Sequence, residues 1–81
     1  MKGTKRRNNR DVEADIIRVA LERGGALKTQ VVYGANLNFR IVKGYLADLI
    51  RRGLIELHDS RYIPTERARR YLVAYEALRA L

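Results

Sequence analysis

The chain has 81 residues, 17 of them Lys or Arg against 9 Asp or Glu, a net charge of +8, and no cysteine. One domain of this size buries only about 60% of its unfolded surface, which leaves little room for a catalytic apparatus. Without cysteine there is no disulfide framework, thiolate metal site or thiol nucleophile, and no apolar run approaches the roughly 18 residues of a membrane span. A polyanion is the first partner to consider for so basic a chain.

Residues 1–10 hold Lys2, Lys5, Arg6, Arg7 and Arg10 with no acid and only Met1 as a large apolar side chain. They read as a flexible basic arm that either follows phosphates and enters a minor groove or merely solubilises the chain. With no apolar stretch behind it, the arm does not read as a secretory signal. A first helix is expected over 11–23. Val12, Ile16, Val19 and Ala20 recur at helical spacing, Asp11, Glu13 and Asp15 suit the positive end of the dipole, and Gly24-Gly25 stops it.

Ala26-Leu27 reads as a minimal strand, and a short second helix is expected from Lys28 to about Ala35. The break at Gly34-Ala35-Asn36-Leu37-Asn38 matters most. Gly34 and Asn36 tolerate left-handed backbone, Leu37 can plug the space between helices, and Asn38 is a favoured N-cap. The third helix, 39–52, carries the clearest pattern. At 100° per residue Val42, Tyr45, Leu46, Leu49 and Ile50 form one apolar face. Arg40, Lys43, Gly44, Ala47 and Arg51 gather opposite, with Asp48 at their edge. Two short strands follow, 54–58 and 61–63, joined by a tight turn at Asp59-Ser60. A last helix over 65–81 is lined by Ala68, Tyr71, Leu72, Tyr75, Leu78 and Leu81.

This order is that of a mainly α (α+β) winged helix-turn-helix domain with a two-stranded wing, spanning 11–64, followed by a C-terminal helix at 65–81. The segments YGANLNF, YLADLIRRGLIE and YIPTERA carry a resemblance to small archaeal winged-helix DNA-binding proteins over residues 11–79. That group includes ten-kilodalton chromatin-associated proteins that dimerise through a C-terminal antiparallel coiled coil. The resemblance implies duplex DNA as partner and a homodimer. Gly44 stands where such proteins more often carry a long polar residue, and Ala68 replaces a usual glycine. The last helix, roughly 25 Å long, is short for a long coiled coil.

A recognition helix enters the major groove with its N-terminal half nearest the bases. Asn38, Arg40, Lys43 and Gly44 are therefore expected closest to DNA, with Arg51 towards the backbone. Arg40 suits a bidentate pair with guanine, and Ile41 a thymine methyl group. Gly44 is either a point of close backbone approach or drift at an exposed site. Arg61 at the ribbon tip, Lys28 and Tyr33 are candidate phosphate contacts, each equally readable as an ordinary surface residue. With Lys5, Arg6, Arg7 and Arg10 of the arm they complete the expected DNA-binding set.

His58-Asp59-Ser60 holds the residue types of a hydrolytic triad, but neighbours in a tight turn cannot form its hydrogen-bond chain. The lone histidine lacks metal-ligand company, so no metal, cofactor or small-molecule ligand is inferred. Apolar residues wrap more of the last helix than one small core needs. Tyr71, Leu72, Tyr75, Leu78 and Leu81 are accordingly expected to meet a second protomer. The resulting reading is a non-enzymatic dimeric DNA-binding protein, cytoplasmic and nucleoid-associated, acting as transcriptional regulator or chromatin organiser. The alternatives are an RNA-binding winged helix and a protein-interaction module for an acidic partner.

Overall fold

A computed structural model describes residues 7–81. Seven elements follow one another: α1 (Asn9–Arg23), β1 (Ala26–Leu27), α2 (Lys28–Gly34), α3 (Phe39–Arg51), β2 (Ile55–His58), β3 (Arg61–Pro64) and α4 (Glu66–Arg79). α1 begins two residues before the expected Asp11, within the segment read as an arm. The reason is a capping box: the Asp11 N–H donates to Asn8 Oδ1 at 2.8 Å, and the Asn8 N–H donates back to Asp11 Oδ2 at 3.2 Å. Residues 7–10 thus belong to the folded domain, and the rest of the expected arm lies outside the described residues.

Gly24, at φ 63°, closes α1 in the left-handed region and turns the chain into β1. β1 pairs antiparallel with β3, Ala26 opposite Tyr62, so the expected minimal strand joins the two-stranded wing in one sheet of order β1-β3-β2. Two residues suffice because β1 needs to supply only one short ladder beside a strand already held by β2. Asp59 and Ser60 both take positive φ, the geometry of a two-residue hairpin whose twist matches its strands.

The turn between α2 and α3 is built differently from the expectation at one position. Asn36 is left-handed, at φ 56°, but Gly34 is not. Gly34 is small for another reason: a Cβ there would stand 2.8 Å from Val19 Cγ2 on α1. Asn38 caps α3 by accepting the Ile41 N–H at 2.9 Å. Thr65 caps α4, and its hydroxyl also donates to the Gly53 carbonyl at 2.8 Å, tying the helix start to the α3–β2 connection.

Ile16, Ile17, Val31, Val42, Leu46, Leu49 and Ile55 are fully buried, so α1, α2, α3 and the sheet share one core. Tyr71 and Leu72 pack α4 against it, while Ala68 and Tyr75 are buried outright. α3 thereby buries Val42, Leu46 and Leu49 and leaves its opposite side outside.

Candidate nucleic-acid interface

With the apolar arc of α3 committed to the core, Arg40, Ile41, Lys43, Gly44, Ala47 and Arg51 all lie exposed. Arg40 and Lys43 make no hydrogen bond or ion pair among the described residues. Nothing stands within 4 Å of where a Cβ on Gly44 would be. The middle of the helix is thus a shallow strip of backbone flanked by two cations without acidic partners. Arg51 differs. It pairs with Asp48, which also accepts from Arg52 Nη1 at 2.6 Å. Arg52 first and Arg51 second hold the Asp48 carboxyl below its ordinary range, so the one acid at the edge of this face stays ionised and compensated.

Asn38 spends its side-chain oxygen on the cap. Lys28, half-buried at the start of α2, lines a hollow of about 200 Å³ with Lys43 and Tyr62. Arg61 is exposed beside the hairpin turn, with Nη1 3.5 Å from the Gly25 carbonyl oxygen. Arg10 is exposed on the first turn of α1. Lys5 and Arg6 lie outside the described residues.

Arg7 is placed against its expected role. Its guanidinium donates to the Ala35 carbonyl at 2.6 Å and the Asn36 carbonyl at 2.8 Å, and pairs with Asp15 at 2.9 Å. Those carbonyls sit just past the end of α2, where backbone oxygens lack helical partners and attract a cation. Arg7 is therefore engaged by its own chain, on the surface beside the turn.

Two features escape a reading by residue pattern. Tyr33 and Phe39 are 77% and 45% exposed, and their rings meet edge to face at 6.4 Å between centroids. Phe39 falls at the rim of the α3 apolar arc, which was the only signal available in the sequence. In addition, Arg67 and Arg70 of α4 join Arg51, Arg52, Leu54 and Tyr71 around an open groove of about 550 Å³.

On α4 the expected contact residues divide. Tyr71 donates its hydroxyl to Glu13 Oε1 at 2.6 Å, Tyr75 donates to Asp11, and Arg18 and Arg79 lie over the Tyr75 ring at 5.8 and 5.7 Å. With Leu72 these side chains serve packing on their own chain. Leu78 and Leu81 face outward together with Val73.

No cluster of three or more His, Asp or Glu side chains able to hold a metal ion occurs among the described residues, and no described helix is long and apolar enough to cross a membrane. His58 Nε2 lies 2.9 Å from Glu56 Oε1.

Comparison with known proteins agrees with this architecture. The crystal structure of Sso10a-2, a DNA-binding protein from Sulfolobus solfataricus, is similar to it with a TM-score of 0.77 and 26% identity. The similarity covers 89% of this chain and 78% of that one. No curated protein matches in sequence. A family model described as winged helix-turn-helix matches residues 6–81. The chain belongs to the winged helix-turn-helix family.

Proposed function

We propose that the protein binds duplex DNA as a homodimer, without enzymatic activity, and organises chromatin with modest sequence preference. The observation that carries this reading is the outward face of α3. Two cations with no acidic partner among the described residues flank a strip of Gly44 and Ala47 that lets a duplex approach the helix backbone. A solvated helix needs neither arrangement. Ordinary surface helices intersperse acids with bases, and a helix-interior glycine costs about 1 kcal/mol relative to alanine. The family match and the DNA-binding neighbour support the same reading and point away from an enzyme.

Phosphate contacts from Lys43, Arg61, Lys28 and Arg10 supply affinity, joined by Lys5 and Arg6. Arg40, near the helix N-terminus, is placed to grip guanine O6 and N7. Few other side chains on this face can read a base by hydrogen bonding, which favours an architectural role on the nucleoid over a selective operator binder. Dimerisation is supported by the outward side of α4, where Val73 and Leu78 are 70% and 65% exposed.

Fluorescence anisotropy on random and genomic duplexes across a salt series tests the reading. Affinity should fall steeply, with a log–log slope corresponding to about 5–8 phosphates per protomer, and vary far less with sequence than with salt. A nearly flat salt response overturns it, as does a preference for structured RNA of equal length.

A further inference from the structure

We infer that the exposed aromatic pair Tyr33–Phe39 reads thymine methyl groups in the major groove, so that the sites this protein prefers carry thymine beside the base met by Arg40. The inference rests on the duplex-binding reading and specifies what that surface recognises.

Neither ring serves the fold. Phe39 and Tyr33 are absent from the hydrophobic core and from the partly buried side chains packed on it, a set that includes Leu37 in the same turn. They meet each other instead, with planes at 87°. A contact of this kind, worth about 0.5–1.5 kcal/mol, limits the freedom of both rings without burying them. Phe39 is the first residue of α3, next to the Asn38 cap, and so stands at the end of the helix that reaches deepest into a groove. Arg40 follows it directly, and Lys43 lies one turn further along the same flank at i+4. The apolar edge is thus set between cations that would hold phosphate or guanine.

In the major groove the apolar feature of a base edge is the thymine C5 methyl, and phenylalanine is among the side chains that contact it. Rings at right angles do not offer the successive parallel faces on which single-stranded bases stack, which favours the duplex. Ile41, exposed on the opposite flank of α3, is a second apolar contact of the same kind. Phe39, Arg40 and Ile41 step 100° apart around the helix, so their contacts fall on neighbouring positions rather than one base pair.

The test compares one labelled mixed-sequence duplex with the same duplex in which every thymidine is replaced by deoxyuridine, which removes only the methyl groups. The full chain should bind the deoxyuridine duplex about fourfold more weakly for each methyl contacted, with the same salt slope. Phe39→Ala should lose most of the discrimination and keep only what Ile41 supplies, Tyr33→Ala should reduce it, and Phe39→Leu should retain more of it than Phe39→Ala. The wild-type comparison reads methyl recognition without depending on a variant folding, and Phe39→Leu beside Phe39→Ala separates the aromatic pair from Ile41. Equal binding of both duplexes by the wild type overturns the inference and leaves duplex binding standing. Undiminished discrimination in folded Phe39→Ala also overturns it and moves the reader elsewhere. No binding to either duplex overturns the DNA reading itself, and the inference with it.

Discussion

The guanidinium of Arg7 lies 2.8 Å from the backbone carbonyl oxygen of Asn36, and makes of a presumed phosphate contact a clasp on the helix-turn-helix turn. Asn36 is the left-handed residue of that turn, and the same guanidinium also holds the Ala35 carbonyl and Asp15. Hydrogen bonds to a charged group are worth about 1.5–3 kcal/mol when shielded, and the half-exposed setting of Arg7 puts this one at the lower end. Arg7→Gln should therefore lower unfolding free energy by about 1–2 kcal/mol in urea titrations while leaving the salt slope of DNA binding unchanged. Lys43→Gln should do the reverse, reducing the slope by about one with little change in stability, and Arg40→Gln should weaken binding chiefly by relaxing the preference for guanine. A reduced slope in Arg7→Gln would return that residue to the DNA surface.

The two helical glycines separate packing from surface in the same way. A Cβ at Gly34 would stand 2.8 and 3.1 Å from the two γ-methyls of Val19, a nearly buried residue of α1 with little room to move. Gly34→Ala should destabilise by about 1–3 kcal/mol through overpacking. A Cβ at Gly44 meets nothing within 4 Å, so Gly44→Ala should stabilise by roughly 1 kcal/mol. Thermal melts of the two variants should move in opposite directions. If Gly44→Ala also weakens duplex binding severalfold, the strip on α3 is a point of close backbone approach; unchanged affinity makes it an ordinary exposed site.

Glu13, only 7% exposed, is the one buried charge among the described residues. It takes Arg52 Nη1 at 2.9 Å and Nη2 at 3.3 Å, together with the Tyr71 hydroxyl. Three helices meet at this carboxylate, which sets the C-terminal end of α3 relative to α4. Glu13→Ala leaves Arg52 without one of its partners and should cost about 3 kcal/mol, measured by urea unfolding.

The same cluster gives an alkaline signature. Burial, and next the bond to Glu13, push the Tyr71 phenol up to about 12, from an ordinary value near 10. Tyr75 is raised in the same direction, first by its bond to Asp11. A raised phenol favours the folded state fully while unfolded tyrosine keeps its proton, below about pH 10. As pH rises from 10 towards 12 the unfolded chain loses protons that the folded chain keeps, and stability falls. Tyr71→Phe should be less stable at neutral pH yet lose less of its stability across that interval, as followed by circular dichroism melts.

The pattern along the chain foretold these elements unevenly. α3 was legible because burial of one face leaves a period of 3.6, and Val42, Leu46 and Leu49 carry it without interruption. Asn38 was legible as a cap because capping is local chemistry, whereas Thr65, expected as the first residue of the last helix, caps it instead. Pairing of β1 with β3 was not, since two residues have no period and the partner lies more than thirty positions away. Glu13 looked like a dipole-compensating acid of a first turn; its burial depends on Arg52 and Tyr71 arriving from elsewhere. The contacts of Arg7 were hidden for the same reason, because a cation in a basic run shows its partners within the chain only once the turn carbonyls are in place. On α4 the apolar pattern does not tell which side each ring takes: Tyr71 and Tyr75 face inward through hydroxyls that reach carboxylates of their own chain.

That allocation sharpens the dimer prediction. With Tyr71, Leu72 and Tyr75 spent on their own chain, the surface left for a second copy is Val73 and Leu78, with the small Ala74 and Ala77 between them and Leu81 at the end. Small residues among larger ones let two helices approach closely, and a two-fold axis across α4 would bring each patch onto its own copy. α4 has 14 residues, about 21 Å of helix, so the contact is short and two lysines within it should suffice to break it. Because both side chains are exposed, Val73→Lys combined with Leu78→Lys should leave the melting temperature of the protomer within a few degrees. Sedimentation velocity should then show the wild type at twice the 9.4 kDa chain mass and the double variant at that mass. Duplex affinity should fall in the variant by more than the added positive charge would raise it, since one protomer grips only one set of phosphates. A wild type that sediments as a single chain at tens of micromolar would reject the dimer and leave the DNA-binding surface of α3 unaffected.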